Sequence, residues 1–375
     1  PQGNTDDNGV GDFYYAPPSG YLALCTANLP DPVIDPAKDD VPEDYFNTVL
    51  YTGDGTTGRG ITGVGFQPDW VWIKERSVVR FHRVFDVVRG ATKKLFTNET
   101  DAESTDTSEL TSFDSDGFTV GNNAGVNQNN ETFVAWNWLA GNSTSSNTDG
   151  SITSTVSVNQ DAGFSVVGYT GNATAGATVG HGLGVAPAMM VVKSRSAVSN
   201  WLVYHKAVAS DPQTDYLTLE TSNAVADNAG PWNDTAPTSS VFTIGDTGWT
   251  NTNTATYIAY CFAEVEGYSK FGSYTGNGST DGPFVYCGFR PAFIMIKDTD
   301  GATSWCMYDT DRDTYNVADA LLQAQDSAAE ATYGGLDFVS NGFKIRTSVQ
   351  AKNISGNTYI FMAFAEMPFK YSNAR

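Results

Sequence analysis

Cations are scarce in this sequence. Its 375 residues hold 21 Lys and Arg against 42 Asp and Glu, a net charge of −21 with His neutral. A nucleic-acid binder needs a basic face to neutralise phosphates. The densest run of cations, Arg76, Arg80, Arg83, Arg89, Lys93 and Lys94, spreads over 19 residues with acids between them. Nucleic acid is therefore excluded as a partner, and so is an anionic membrane surface. No apolar run reaches the roughly 18 residues of a transmembrane helix, so no membrane insertion is expected. The chain opens Pro1-Gln2-Gly3-Asn4-Thr5-Asp6-Asp7, polar and unlike a secretory signal. A start at Pro is expected to reflect processing or truncation, with a further domain ahead of it.

Thiols and imidazoles are also few. Cys25, Cys261, Cys287 and Cys306 follow no metal-ligand spacing and are too sparse for a disulfide scaffold, so buried free thiols are expected. Three histidines, His82, His181 and His205, give little material for acid–base catalysis. No G-x-S-x-G elbow and no P-loop occurs. Only 17% of residues are charged, whereas aromatics reach 13% and glycines number 37. Much Thr, Tyr, Phe and Gly with little Lys, Glu and Leu is a composition of strands and turns. At 40% hydrophobic the chain can bury a core, which argues against disorder.

Four motifs recur in fixed order. Tyr51-Thr52-Gly53 returns as Tyr169-Thr170-Gly171 and Tyr274-Thr275-Gly276. The segment from Phe66 to Lys74 returns from Val185 to Lys193 and from Phe289 to Lys297, with Pro third and Lys ninth each time. His82 to Asp86, Trp201 to His205 and Trp305 to Asp309 each begin eight residues after that Lys. The fourth motif is a pair: Phe118 leads to Phe133, Phe242 to Tyr257 and Phe343 to Tyr359, at gaps of 15, 15 and 16 residues. The copies are offset by 118 and 105 residues, too long a period for a solenoid. They imply units at 46–141, 142–267 and 268–375 after a Pro- and Asp-rich arm, 1–45, expected to be extended.

Within a unit the pattern is strand, turn, strand. Trp70 to Ile73 and Phe293 to Ile296 are short apolar runs behind a Pro, as in strands buried on both faces. A helical period appears once, from Val317 to Ala324, and predicts a short helix there. The fold class expected is all-β: three tandem β-sandwich domains of jelly-roll or concanavalin-like type.

These motifs resemble a domain repeated in virion proteins of tailed bacteriophages, marine phages above all. The resemblance rests on Tyr51-Thr52-Gly53, Gly65-Phe66 to Lys74, Asp86-Val87-Val88-Arg89-Gly90-Ala91, Leu110 to Phe118, and Phe133-Val134-Ala135-Trp136-Asn137-Trp138. Phe13 to Thr26 resembles the junction that follows a SPRY-like, concanavalin-type domain in such proteins, and Ala363 to Arg375 resembles their usual ending. The second and third copies depart from the pattern: the aspartate–arginine segment is missing after Tyr204, and the Ser-Phe-x-x-Asp-Gly-Phe run is eroded. The resemblance implies a virion location after synthesis in host cytoplasm, other virion proteins as partners, and a homo-oligomer, a trimer by analogy with fibres. It supplies no catalytic residues.

The residues add little chemistry of their own. Two carboxylates across a groove can hydrolyse glycosides, but no Asp or Glu holds one place in all three copies. Asp309-Thr310-Asp311-Arg312-Asp313 begins like a calcium loop, then has Thr314 where Gly is needed and Ala320 where Glu is needed. No cofactor is expected, and structural calcium is the one metal the loops suggest. Two tryptophans outside the recognised motifs, Trp232 and Trp249, lie in polar loops beside Asn, Asp and Thr. Exposed there, they would be glycan contacts. The function expected is a non-enzymatic virion fibre or appendage on tail or head, adhering to host-surface glycan. A capsid-decorating protein without a ligand and a tail-associated glycan depolymerase are the alternatives.

Overall fold

The computed structural model describes residues 2–372; Pro1 and the last three residues of the ending noted above lie outside the described residues. The chain is all-β and of the β-sandwich class. Each of the segments 46–141, 142–267 and 268–372 builds a large antiparallel sheet with one strand order. In the first, the opening strand Phe46–Thr52 pairs with the closing strand Thr132–Trp138. Then follow Trp70–Glu75, Arg83–Asp86 and Lys93–Phe96. In the second the order is Phe164–Thr170, Thr256–Phe262, Met189–Ser194, Trp201–His205, Asp215–Thr218. In the third it is Ser269–Thr275, Thr358–Pro368, Phe289–Asp298, Cys306–Asp309, Ala318–Gln323.

The Tyr-Thr-Gly motif ties the opening strand to the closing one. Tyr51 lies opposite Phe133, Tyr169 opposite Tyr257, and Tyr274 opposite Tyr359. Each pair stacks, with centroids 5.0, 5.1 and 5.0 Å apart. Each tyrosine hydroxyl donates to a carbonyl in the turn before the closing strand: Val126, Thr250 and Lys352. One residue further on stands a buried asparagine, Asn127, Asn251 or Asn353. Its Oδ1 accepts from the N–H of Asp54, Asn172 or Asn277, and its Nδ2 donates to Gly121, Gly245 or Thr347. The motif glycine is fixed by close approach. A Cβ on Gly53, Gly171 or Gly276 would sit 2.0, 2.3 or 2.1 Å from the carbonyl oxygen of Gln128, Thr252 or Ile354.

One face of each large sheet packs on a small sheet. In unit 1 this is Arg59–Thr62, Gly117–Val120 and Leu110–Asp114, enclosing Ile61, Val71, Phe85 and Phe118. In unit 2 it is Ala177–Gly180 with Val241–Ile244. In unit 3 the small-sheet strands join the large sheet edge to edge, making eight strands in one.

The opposite faces of the three large sheets meet each other. One core draws Trp70 and Trp138 from unit 1, Tyr260 and Phe262 from unit 2, and Phe293 and Phe364 from unit 3. Trp70 stacks on Tyr260 at 4.4 Å, Phe46 on Phe364 at 5.2 Å, and Phe262 lies 6.0 Å from Phe364. This explains why these strands read as apolar on both faces: one face serves the unit, the other its neighbours.

Each unit grips the next through the same atoms. Glu103 N–H of unit 1 donates to Arg195 O of unit 2, Val225 N–H of unit 2 to Thr299 O of unit 3, and Glu330 N–H of unit 3 to Arg76 O of unit 1, at 2.8, 2.9 and 2.8 Å. The acceptors each stand two residues after the motif lysine, so one contact is made three times and the third closes a ring. Trp201 Nε1 donates to Phe96 O and Trp305 Nε1 to Thr218 O. At the third seam His82 takes the tryptophan's place, against the backbone of Gln323. Units 1 and 2 thus keep cores of their own, and a further core is shared by all three units.

Two expectations are corrected. Residues 318–323 form a strand, not a helix. Ala318, Leu321 and Leu322 are buried, which is helical spacing, because a bulge between Ala318 and Ala320 breaks the alternation of a strand. The arm is not extended. The Asp6 carboxylate gathers the N–H groups of Asn8, Val10 and Ala23 and the amide of Asn28. Residues 31–35 clasp the end of unit 3, where Lys370 pairs with Asp31 and the Tyr371 hydroxyl donates to Asp35.

Candidate functional site

Most groups with chemical potential are used up in holding the ring. Lys74, Lys193 and Lys297 are fully buried, and burial lowers each ammonium to about 8. Their Nζ atoms donate to backbone carbonyls, Lys193 to Thr100 and Ser199. Asp86 and Arg89 form a buried pair that reaches the Tyr260 hydroxyl of unit 2. This aspartate–arginine signature, missing after Tyr204 in the second copy, is repeated by Asp309 and Arg312 in unit 3, where Asp309 accepts from Trp136 Nε1 of unit 1. In unit 2 the position falls to His205, whose Nε2 lies 3.2 Å from Phe361 O of unit 3. All three histidines are buried. Burial lowers His205 to about 4. Trp72 Nε1 donates to His82 Nδ1, and Leu183 N–H to His181 Nδ1.

The three carboxylates of the calcium-like run do not converge. Asp309 holds Arg312, Asp313 accepts from the N–H groups of Asp319 and Ala320, and Asp311 faces a different cavity beside Glu366. Among the described residues no group of three His, Cys, Asp or Glu is placed to hold a metal ion. The four cysteines are free, three of them buried.

Of the two candidate tryptophans the structure keeps one available. Trp232 is 1% exposed; its Nε1 donates to Asp215 O and its ring meets Tyr204 edge-on. It fills the core site that Leu110 fills in unit 1. In both units the following turn makes one matched bond, Gly121 N–H to Glu109 O and Gly245 N–H to Pro231 O, each acceptor just before the buried residue. Trp232 is therefore no glycan contact. Its loop looked unshared because unit 2 lacks the strand that carries Leu110.

Trp249 lines an open cleft of about 110 Å³ with Tyr216, Asn200, Leu202, Thr218 and Asn223. The two rings lie 5.6 Å apart at 43°. Asn200 Nδ2 and Trp201 N–H both donate to Glu220, which fixes the polar wall. Burial raises that carboxyl. Tyr216, Asn200 and Asn223 were not singled out from the sequence. They belong to three separate stretches, and only strand pairing brings them to Trp249.

The same place is occupied in the other units. Two residues before the buried asparagine, unit 1 has Gly125 where unit 2 has Trp249. Across the sheet it has Arg83 where unit 2 has Leu202, and Lys94 where unit 2 has Tyr216. The Arg83 guanidinium lies 2.0 Å from where a Gly125 Cβ would be, and both Arg83 and Lys94 bind Glu109. In unit 3 the corresponding residues are Ala351, Cys306 and Leu321, all packed on the core. Unit 2 lines this position with the partly buried rings of Trp249 and Tyr216 and with amides. That is the chemistry that receives a polyhydroxylated ring: C–H faces on the rings, hydroxyls on the amides.

Fold and site together define a closed three-unit β-sandwich protein with an aromatic-lined cleft in unit 2. A family model described as a domain of unknown function, DUF7483, matches residues 41–368, and the chain belongs to that family. The match runs across all three units. No curated protein and no solved structure matches the chain.

Proposed function

We propose that the protein is a non-enzymatic structural component of a bacteriophage virion, an appendage on tail or head that adheres to host-surface glycan through the Trp249–Tyr216 cleft. The observation that carries the reading is the cleft itself, open in unit 2 at the place where Arg83 seals unit 1. The resemblance of the repeated motifs to phage virion proteins supports the setting. The buried lysines, ion pairs and histidines support a non-catalytic role, since each serves the ring. One chain already supplies the threefold arrangement that trimeric fibres make from three chains. That favours a single copy per attachment point, with other virion proteins as its partners.

The test is adsorption. Purified protein labelled with a fluorophore should coat host cells and block phage adsorption, and Trp249→Ala should do neither while melting like the parent. No coating of cells, with tight uptake onto stripped capsids, would overturn adhesion in favour of decoration. Release of reducing sugar from host polysaccharide would overturn the non-enzymatic reading.

A further inference from the structure

Another cavity, of about 360 Å³, lies in the joint between the arm and unit 3. Its apolar wall is built by Pro30, Pro32 and Pro368 with Phe369 and Tyr286. Its polar wall is built by Glu264, Glu266, Ser269 and Lys270.

Tyr286 has no packing reason to be there. It is 58% exposed, and Phe284, two residues earlier on the same strand face, is 49% exposed. The repeat supplies the comparison. Tyr286 lies opposite Gly342, at the start of the motif strand, as Thr62 lies opposite Gly117 and Gly180 opposite Val241. Phe284 lies opposite Lys344, where the other units set Gly60 against Thr119 and Thr178 against Thr243. Units 1 and 2 thus carry small or polar residues where unit 3 turns two aromatic rings to water.

The ammonium groups at this cavity are already paired. Lys206 and Lys270 both hold Glu264, and Lys370 holds Asp31 while also donating to Leu29 O. An anionic ligand would have to displace a carboxylate to gain either rim ammonium, so the site does not select for negative charge. A neutral polyol has no such conflict. Its hydroxyls can bridge paired ammonium and carboxylate groups, and the C–H face of its ring can lie on Tyr286.

We infer that the cavity walled by Tyr286 and the proline-rich arm is a second binding site on this chain, taking a neutral pyranose. It rests on the adhesion reading for ligand class but uses none of the cleft residues. Two sites on different units of one rigid ring would engage a branched or extended glycan at two points, which multiplies the strength of attachment without a new contact.

The experiment is saturation-transfer NMR with the methyl glycosides of glucose, galactose and mannose, on the full chain carrying Trp249→Ala so that the cleft is silent. Transfer to the ring C–H protons of at least one glycoside is expected. Adding Tyr286→Thr, the residue unit 1 carries there, should weaken it roughly tenfold or more, whereas Tyr286→Phe should keep it. Tyr286 is largely solvent-exposed, so an unchanged melting curve confirms that the fold is intact. No transfer from Trp249→Ala to any of the three, or transfer unaltered by Tyr286→Thr, overturns the inference. The two sites fail separately. Transfer from the parent but not from Trp249→Ala leaves only the cleft. Transfer from Trp249→Ala with cell coating undiminished leaves only this cavity.

Discussion

Arg76 and Glu330 lie 254 residues apart and meet as a two-pronged ion pair, Nε to Oε2 at 2.9 Å and Nη2 to Oε1 at 2.7 Å. The same pairing joins Arg195 to Glu103 at the seam between units 1 and 2. The seam between units 2 and 3 has Thr299 and Val225 in those places. Units 1 and 2 are consecutive in the chain, as are units 2 and 3. Only the seam from unit 3 back to unit 1 joins distant parts of the sequence, and there the ion pair is extended by Arg312, which also reaches Glu330.

Arg76→Met should therefore loosen ring closure. The pair is about four-fifths buried and bidentate, which places the loss at about 1–2 kcal/mol. Urea titration measures it. Because Arg195 and Glu103 stand at another seam, their loss should add to it within a few tenths of a kcal/mol. A strongly non-additive double variant would mean that the seams communicate.

The shared core predicts a single unfolding event. Far-UV circular dichroism and tryptophan fluorescence should trace one coincident urea transition. Residues 142–267 expressed alone should not fold as a compact monomer, since Trp201, Tyr260 and Phe262 would lose their neighbours. Three resolved transitions would refute the common core.

The Tyr-Thr-Gly motif should be intolerant at its glycine. Gly276→Ala sets a Cβ 2.1 Å from Ile354 O, a backbone atom that cannot swing away, and should cost about 3 kcal/mol or more. Asn353→Ala, which strips bonds to Asn277, Ser279 and Thr347, should cost about 2–4 kcal/mol. Thermal melting of each variant checks both.

His205 should make stability sensitive to acid. Its folded value of about 4 lies below the ordinary 6.5 because burial disfavours the charged ring. The unfolded chain takes up the proton first, so this contribution is complete above about pH 6.5 and is lost as pH falls toward 4. His205→Gln removes it. The stability advantage of the parent over this variant should shrink by on the order of 3 kcal/mol across that window. A difference that stays flat with pH would contradict the buried, neutral ring.

Trp232 and Trp249 should separate cleanly. Trp232→Ala empties a core site and should cost about 3–5 kcal/mol. Trp249→Ala should cost much less and weaken glycan retention on a column of host polysaccharide. Retention unchanged in Trp249→Ala would remove the cleft from the binding reading.

How far the sequence could be read follows from the range of each interaction. Tyr51, Tyr169 and Tyr274 announced the repeat because a strand partner and a turn carbonyl impose the same residues each time. The buried asparagines were equally legible in principle, each six residues before the closing-strand aromatic. Trp232 was misread because its place in the core is defined by a bond from Gly245, not by spacing from a recognised motif. Ala318, Leu321 and Leu322 imitated a helix because a bulge reset the strand's alternation. The Trp249 cleft could not be seen at all, since Tyr216 and Asn200 reach it only through pairing of separate strands.

The sequence by itself determined the all-β class, the threefold repeat and the scarcity of cations. These follow from composition and local period, which act over a few residues. Only the tertiary structure decided that the repeats close on one another, because both faces of Trp70–Glu75 and its counterparts are apolar and sequence cannot say which neighbour covers which face. It also decided where the cleft lies: Arg83 takes the place in unit 1 over Gly125, whereas Trp249 and Tyr216 line it in unit 2.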